Sequence, residues 1–149
     1  MSNDDVTTAI GLYHYGLSYQ RAADALGEIK LRSTHPHAPR SFLYYHAIEL
    51  YMKAFLRNSG LSVSYLKSLG HNVSKLKAKY VEHGGFLMDE DIEVLRLMQA
   101  GNSPMRSRYI ETGLLLAPSL EALNRTAESL GETVFLALKK LGQPVRERD

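Results

Sequence analysis

The chain has no cysteine. A disulfide framework, a thiolate metal site and a cysteine nucleophile are therefore all excluded. No apolar run approaches the roughly 20 residues that a bilayer crossing needs, and no stretch alternates with the period of two that a half-buried strand requires. Charge of one sign is also scarce: a formal net charge of +2 is too small to argue for nucleic acid by itself. The first residues, MSNDDVTTAIG, are acidic and polar where a secretory signal would be basic and then apolar, so a cytoplasmic location without membrane attachment is expected. There is no phosphate-cradling glycine loop of the Walker or dinucleotide type and no His-Glu-x-x-His zinc motif. His35, His37, His46 and His71 are too dispersed to define a metal site, so neither metal nor cofactor is expected. Tryptophan is missing too, beside nine tyrosines.

Helical periodicity fills the space these absences leave. At 149 residues one domain is expected, with a core spanning about residues 10–140 and frayed termini. From Val6 to Leu31, Leu12, Tyr15, Tyr19, Ala22, Leu26 and Ile29 recur at alternating spacings of three and four, a helix stripe. RSTHPHAPR (Arg32 to Arg40) reads as a connection, with Pro39 suited to the first turn of the next helix. A short helix then ends at Gly70, and Asn72 caps another with Val73, Leu76, Tyr80 and Val81 on its inner edge. Asp89 opens a further helix, with acidic residues in its first turn and Ile92, Leu95 and Met98 inside. GNSPMRSRYIETG (Gly101 to Gly113) reads as irregular. A last helix from about Pro118 carries Leu120, Leu123, Ala127, Leu130, Val134, Leu138 and Leu141 in near-heptad order. The expected fold is all-α, an up-and-down bundle of four to six helices.

The most informative segment is residues 40 to 58. Its polar positions His46, Glu49, Lys53 and Arg57 fall within an arc of about 80° on one helix. The rest of its surface is apolar or aromatic, so neighbours must cover several faces, whether from its own domain or from a partner. The plain reading of Glu49 and Lys53 is an i, i+4 ion pair worth a few tenths of a kcal/mol. The functional reading is a groove in which Lys53 or His46 meets an anionic group. His71 reads most simply as a loop-bonding residue at a helix start. Arg106 and Arg108 lie in a loop with few apolar neighbours and are candidates for a phosphate or carboxylate, with Tyr109 as that loop's anchor.

HAIELYMKAFL (His46 to Leu56), GHNVSKL (Gly70 to Leu76) and RSRY (Arg106 to Tyr109), in that order, resemble the HEPN domain family. The resemblance implies a helical bundle that often pairs into homodimers. It also implies one of two functions: a non-catalytic module binding a partner protein or an anionic ligand such as a nucleotide, or a metal-independent RNase. Nuclease members are often toxins neutralised by a nucleotidyltransferase-like partner, as in toxin–antitoxin pairs. They carry an Arg followed four to six residues later by a His, for which the chemistry is proton transfer at a ribose 2′-hydroxyl and stabilisation of phosphate charge. The motif usually lies on a late helix, and here the final helix has Arg125 but no histidine. The spacing is met by Arg40 and His46, and by Arg32 and His37. The expected function is therefore the non-catalytic homodimeric module, with a groove at His46, Glu49, Lys53, His71, Arg106, Arg108 and Tyr109. RNA cleavage by Arg40 and His46 is the alternative.

Overall fold

The computed structural model describes residues 6–100 and 117–148, and these are all helix or connection, with no strand among them. Six helices are present among the described residues: α1 (Ala9–Leu26), α2 (Ala38–Asn58), α3 (Val63–Leu69), α4 (Val73–Glu82), α5 (Asp89–Ala100) and α6 (Leu120–Lys140). The expected all-α class is the one found. None of these helices is long and apolar enough to cross a membrane.

Four helix starts have a side-chain oxygen on an otherwise orphaned backbone N–H: Thr8 on Gly11, Ser62 on Tyr65, Asn72 on Lys75 and Ser119 on Ala122. Each such cap is worth about 1 kcal/mol. At α5 the device is different. Asp91, in the first turn, reaches back to the Met88 N–H at 3.1 Å, in the manner of a capping box. α2 starts at Ala38 with Pro39 in its first turn, and the chain leaves it through Gly60 at φ 100°, where an L side chain is strained.

α2 is the axis of the bundle. It packs most extensively on α1, next on α6 and then on α4. Tyr44, Tyr45, Ala47, Ile48, Tyr51, Met52, Ala54, Phe55 and Leu56 are all buried. Most of the apolar surface of this helix is thus covered within one chain, with Phe42 left exposed near its start. α1 runs antiparallel to it, with Arg57 Nε donating to the Thr7 carbonyl at one end and Arg40 Nε to the Ala23 carbonyl at the other.

Three stripes differ from expectation by a rotation. On α1 the buried positions are Tyr13, Gly16, Gln20 and Ala23; Leu12 and Tyr19 lie on the flank, while Tyr15, Ala22 and Ile29 are exposed. The inner face holds a glycine and a glutamine for physical reasons. A Cβ on Gly16 would sit 2.9 Å from the Tyr51 ring, so only glycine lets α1 and α2 approach this closely. Gln20 is buried because its amide is paired on both sides, with Tyr51 of α2 on its oxygen and Glu128 of α6 on its nitrogen. On α4 and α5, Val81 and Ile92 are exposed, and Val94 and Asp91 are buried instead. On α6, Leu123, Ala127, Leu130, Val134 and Leu138 are inside as expected, joined by Thr126, Gly131 and Phe135; Leu141 is exposed.

Up to residue 148 the segment after α6 runs back against the bundle. Val145 packs on the core, and the Arg148 side chain, only 8 % exposed, inserts among α1, α2 and α6.

Candidate functional site

The polar stripe of α2 faces α1 on one side and the α3–α4 turn on the other. His46 meets the edge of the Tyr19 ring of α1 at 4.4 Å between centroids, nearly perpendicular, and stacks at 6.4 Å on Phe42 one turn earlier. One turn later Glu49 is 2 % exposed. Its Oε2 lies 2.8 Å from Nδ1 of His71, whose side chain is 63 % exposed. The i, i+4 pairing with Lys53 is replaced by this longer-range contact, because the Gly70 turn, at φ 57°, brings His71 over the carboxylate. Glu49 Oε1 is sealed from solvent and has no hydrogen-bond partner among the described residues. An orphaned buried acceptor of this kind costs about 1–3 kcal/mol.

Lys53 is half-buried and makes no ion pair with a described residue. Burial pushes its ammonium below the usual lysine range, and the charge of Glu49 partly restores it. His46 is pushed down as well, first by burial, while the charge of Glu49 pulls it up and its neighbours His71 and Lys53 push it down. Both shifts have desolvation as their main cause. Arg57, the last member of the stripe, is withdrawn from the site: its Nη1 donates to the Leu61 carbonyl at 3.1 Å, beside the bond to Thr7. It clamps one end of the α1–α2 pair, joining the residue before α1's cap to the chain that leaves α2.

Four of the expected groove residues, His46, Glu49, Lys53 and His71, therefore share one edge. Arg106, Arg108 and Tyr109 lie outside the described residues. Arg40 belongs to a different contact. Besides the Ala23 carbonyl at 2.7 Å, it donates through Nη2 to the Tyr44 hydroxyl at 3.3 Å, and Tyr44 in turn donates to Asp24 Oδ1 at 2.5 Å. Burial pushes the Tyr44 phenol up to about 12, reinforced by that bond to Asp24. Arg40 thus holds the end of α1, while His46 has Tyr19 and Phe42 as its ring neighbours. Among the described residues no cluster of three or more histidines or carboxylates is set to hold a metal ion.

Two buried polar groups escaped sequence reasoning. Asp91, fully buried, accepts from Thr126 Oγ1 at 2.7 Å and Ser129 Oγ at 3.3 Å, tying α5 to α6. Its first-turn position advertised a dipole role and hid this one. The second is the set of contacts around Arg148, whose signal in sequence was limited to a glutamine and a glycine facing inward.

Comparison with protein-family models, with curated proteins and with solved structures returns no match to this chain.

Proposed function

We propose that the chain is a HEPN-like helical module that binds a phosphate-bearing ligand of the nucleotide class along the His46–Glu49–Lys53–His71 edge, without turning it over. The observation that carries this reading is a half-buried ammonium, Lys53, with no ion-paired carboxylate among the described residues. The nearest acid is committed elsewhere, because Glu49 accepts from His71. An anion that replaced lost water around Lys53 would meet two imidazoles as further donors. A nucleotide also brings hydroxyl and amino donors. With the exposed His71 ring moved aside, one of these would satisfy Glu49 Oε1.

The test is thermal unfolding with adenine, guanine and pyrimidine nucleotides at millimolar concentration. A ligand at ten times its Kd stabilises by about 1.4 kcal/mol, or roughly 3–4 °C for a domain of this size. That rise should disappear in Lys53→Met. No rise with any nucleotide would remove the ligand and leave a protein partner.

One feature favours RNA cleavage as a second reading. Glu49 fixes His71 through Nδ1, leaving Nε2 toward solvent as a general base requires. The cleaving histidine would then be His71, not His46. RNA left intact by the pure protein, and by His71→Ala alike, removes it.

A further inference from the structure

On the side of α2 turned away from His71, a guanidinium is held by contacts that are specific to its shape. Tyr51 lies about 160° around the helix from Glu49, so the two regions are separate. Nη1 of Arg148 donates to the Tyr13 hydroxyl at 3.0 Å. Nη2 donates to Glu128 Oε2 at 2.9 Å and reaches Gln20 Oε1 at 3.4 Å. The acceptors are themselves fixed: Tyr51 donates to Gln20 Oε1 at 2.6 Å, and Gln20 Nε2 donates to Glu128 Oε2 at 2.5 Å. The rings of Tyr13 and Tyr51 lie 5.8 and 5.9 Å from Cζ, within cation–π range.

Gly131 defines the remaining wall. A Cβ there would stand 2.6, 2.8 and 2.9 Å from Nη1, Nη2 and Cζ. The α6 backbone therefore closes on the guanidinium at this point, and a side chain here would meet it. A planar fork reaches these acceptors from two separate terminal nitrogens at once, where an ammonium would have to reach all of them from a single nitrogen.

The occupant is loosely tethered. Nε of Arg148 is buried with no acceptor among the described residues, so within them the arginine satisfies only part of its own donor set. The backbone hydrogen bonds of residues 142–145 remain local, from Gly142 to Lys139, Gln143 to Leu138 and Val145 to Gln143. The other attachments are Val145 on the core and an exposed ion pair between Lys139 and Glu147. The site also opens outward, because Glu128 is 46 % exposed.

We propose that Tyr13, Gln20, Tyr51, Glu128 and Gly131 form a binding site for an alkylguanidinium, in which Arg148 is the chain's own resident ligand. When the segment 142–148 lifts, the site accepts a guanidinium from another molecule. The tethered arginine competes through its high effective concentration, so an outside ligand binds weakly until the segment is released.

Ethylguanidinium is the probe, with ethylammonium as the control for charge alone. In the full chain carrying Arg148→Ala, ethylguanidinium should raise the unfolding temperature saturably, by about 3 °C at ten times its Kd. The unaltered protein should show no rise over the same range, and neither should the Arg148→Ala, Glu128→Ala double variant. If Arg148→Ala does not fold, Arg148→Gln, which keeps a polar filling without the fork, takes its place in the same titration. No saturable rise in the variant overturns the proposal. So does an equal rise with ethylammonium, or one unchanged by the loss of Glu128.

Discussion

At the scale of single residues, chemistry follows from how much water each group has lost. His46 is pushed below the ordinary histidine range chiefly by burial, so its neutral form is favoured in the folded chain. The unfolded state then binds more protons, and stability falls as pH drops below about 6.5, the unperturbed histidine value, toward the folded one. His14 is shifted down by burial in the same way and contributes with the same sign. Chemical denaturation of the unaltered protein and of His46→Phe at pH 7 and pH 5 checks this: the loss between the two should be smaller in the variant. Lys53 is a different case, since its charge is disfavoured in the fold. Lys53→Met should unfold at a temperature at least as high as the unaltered protein while losing any nucleotide response. A residue kept charged against its surroundings is one that stability alone does not explain.

The elements divide into those built by caps and apolar stripes and one tied down by a buried acid. Asp91 closes the start of α5 through Met88 and bonds Thr126 and Ser129 of α6. Removing it leaves two hydroxyls and one N–H without their acceptor. Asp91→Ala should lower stability by about 2–3 kcal/mol, measured by urea unfolding with an unchanged m-value. Asp91→Asn, which keeps one acceptor oxygen, should cost less. The boundaries of α2, α4 and α5 were legible in the sequence, because their cap residues, first-turn acids, proline and glycines act through local backbone geometry, whereas the first helix, expected from Val6 to Leu31, spans Ala9–Leu26. The rotation of each helix was less legible. Tyr15, Val81 and Ile92 satisfy a hydrophobic stripe, yet they face solvent, and Gly16, Gln20 and Asp91 hold inner positions. Close approach and polar pairing across helices, not hydrophobicity, select those three.

For the whole molecule, α2 is covered by α1, α6 and α4 together, and its burial defines the cooperative unit. Native-state hydrogen exchange should be slowest in the amides of α2 between Tyr44 and Leu56 and fastest in α3, a seven-residue helix with limited packing on α2. Protection greater in α3 than in α2 would contradict this order. The candidate site follows the same division. That His46, Glu49 and Lys53 share a face is a consequence of helix pitch and was readable in advance. That His71 completes them, that Arg57 and Arg40 are drawn away, and that Arg148 enters the core depended on where other elements came to rest.

Local sequence alone settled the helical class, the Asn72 cap and the enclosed central rod, since each depends on spacing within a few residues and on backbone preference. Only the packed structure decided which polar groups meet. A hydrogen bond such as Gln20 to Glu128 joins positions 108 residues apart, and no periodicity along one helix carries information about the partner that a second helix presents to it.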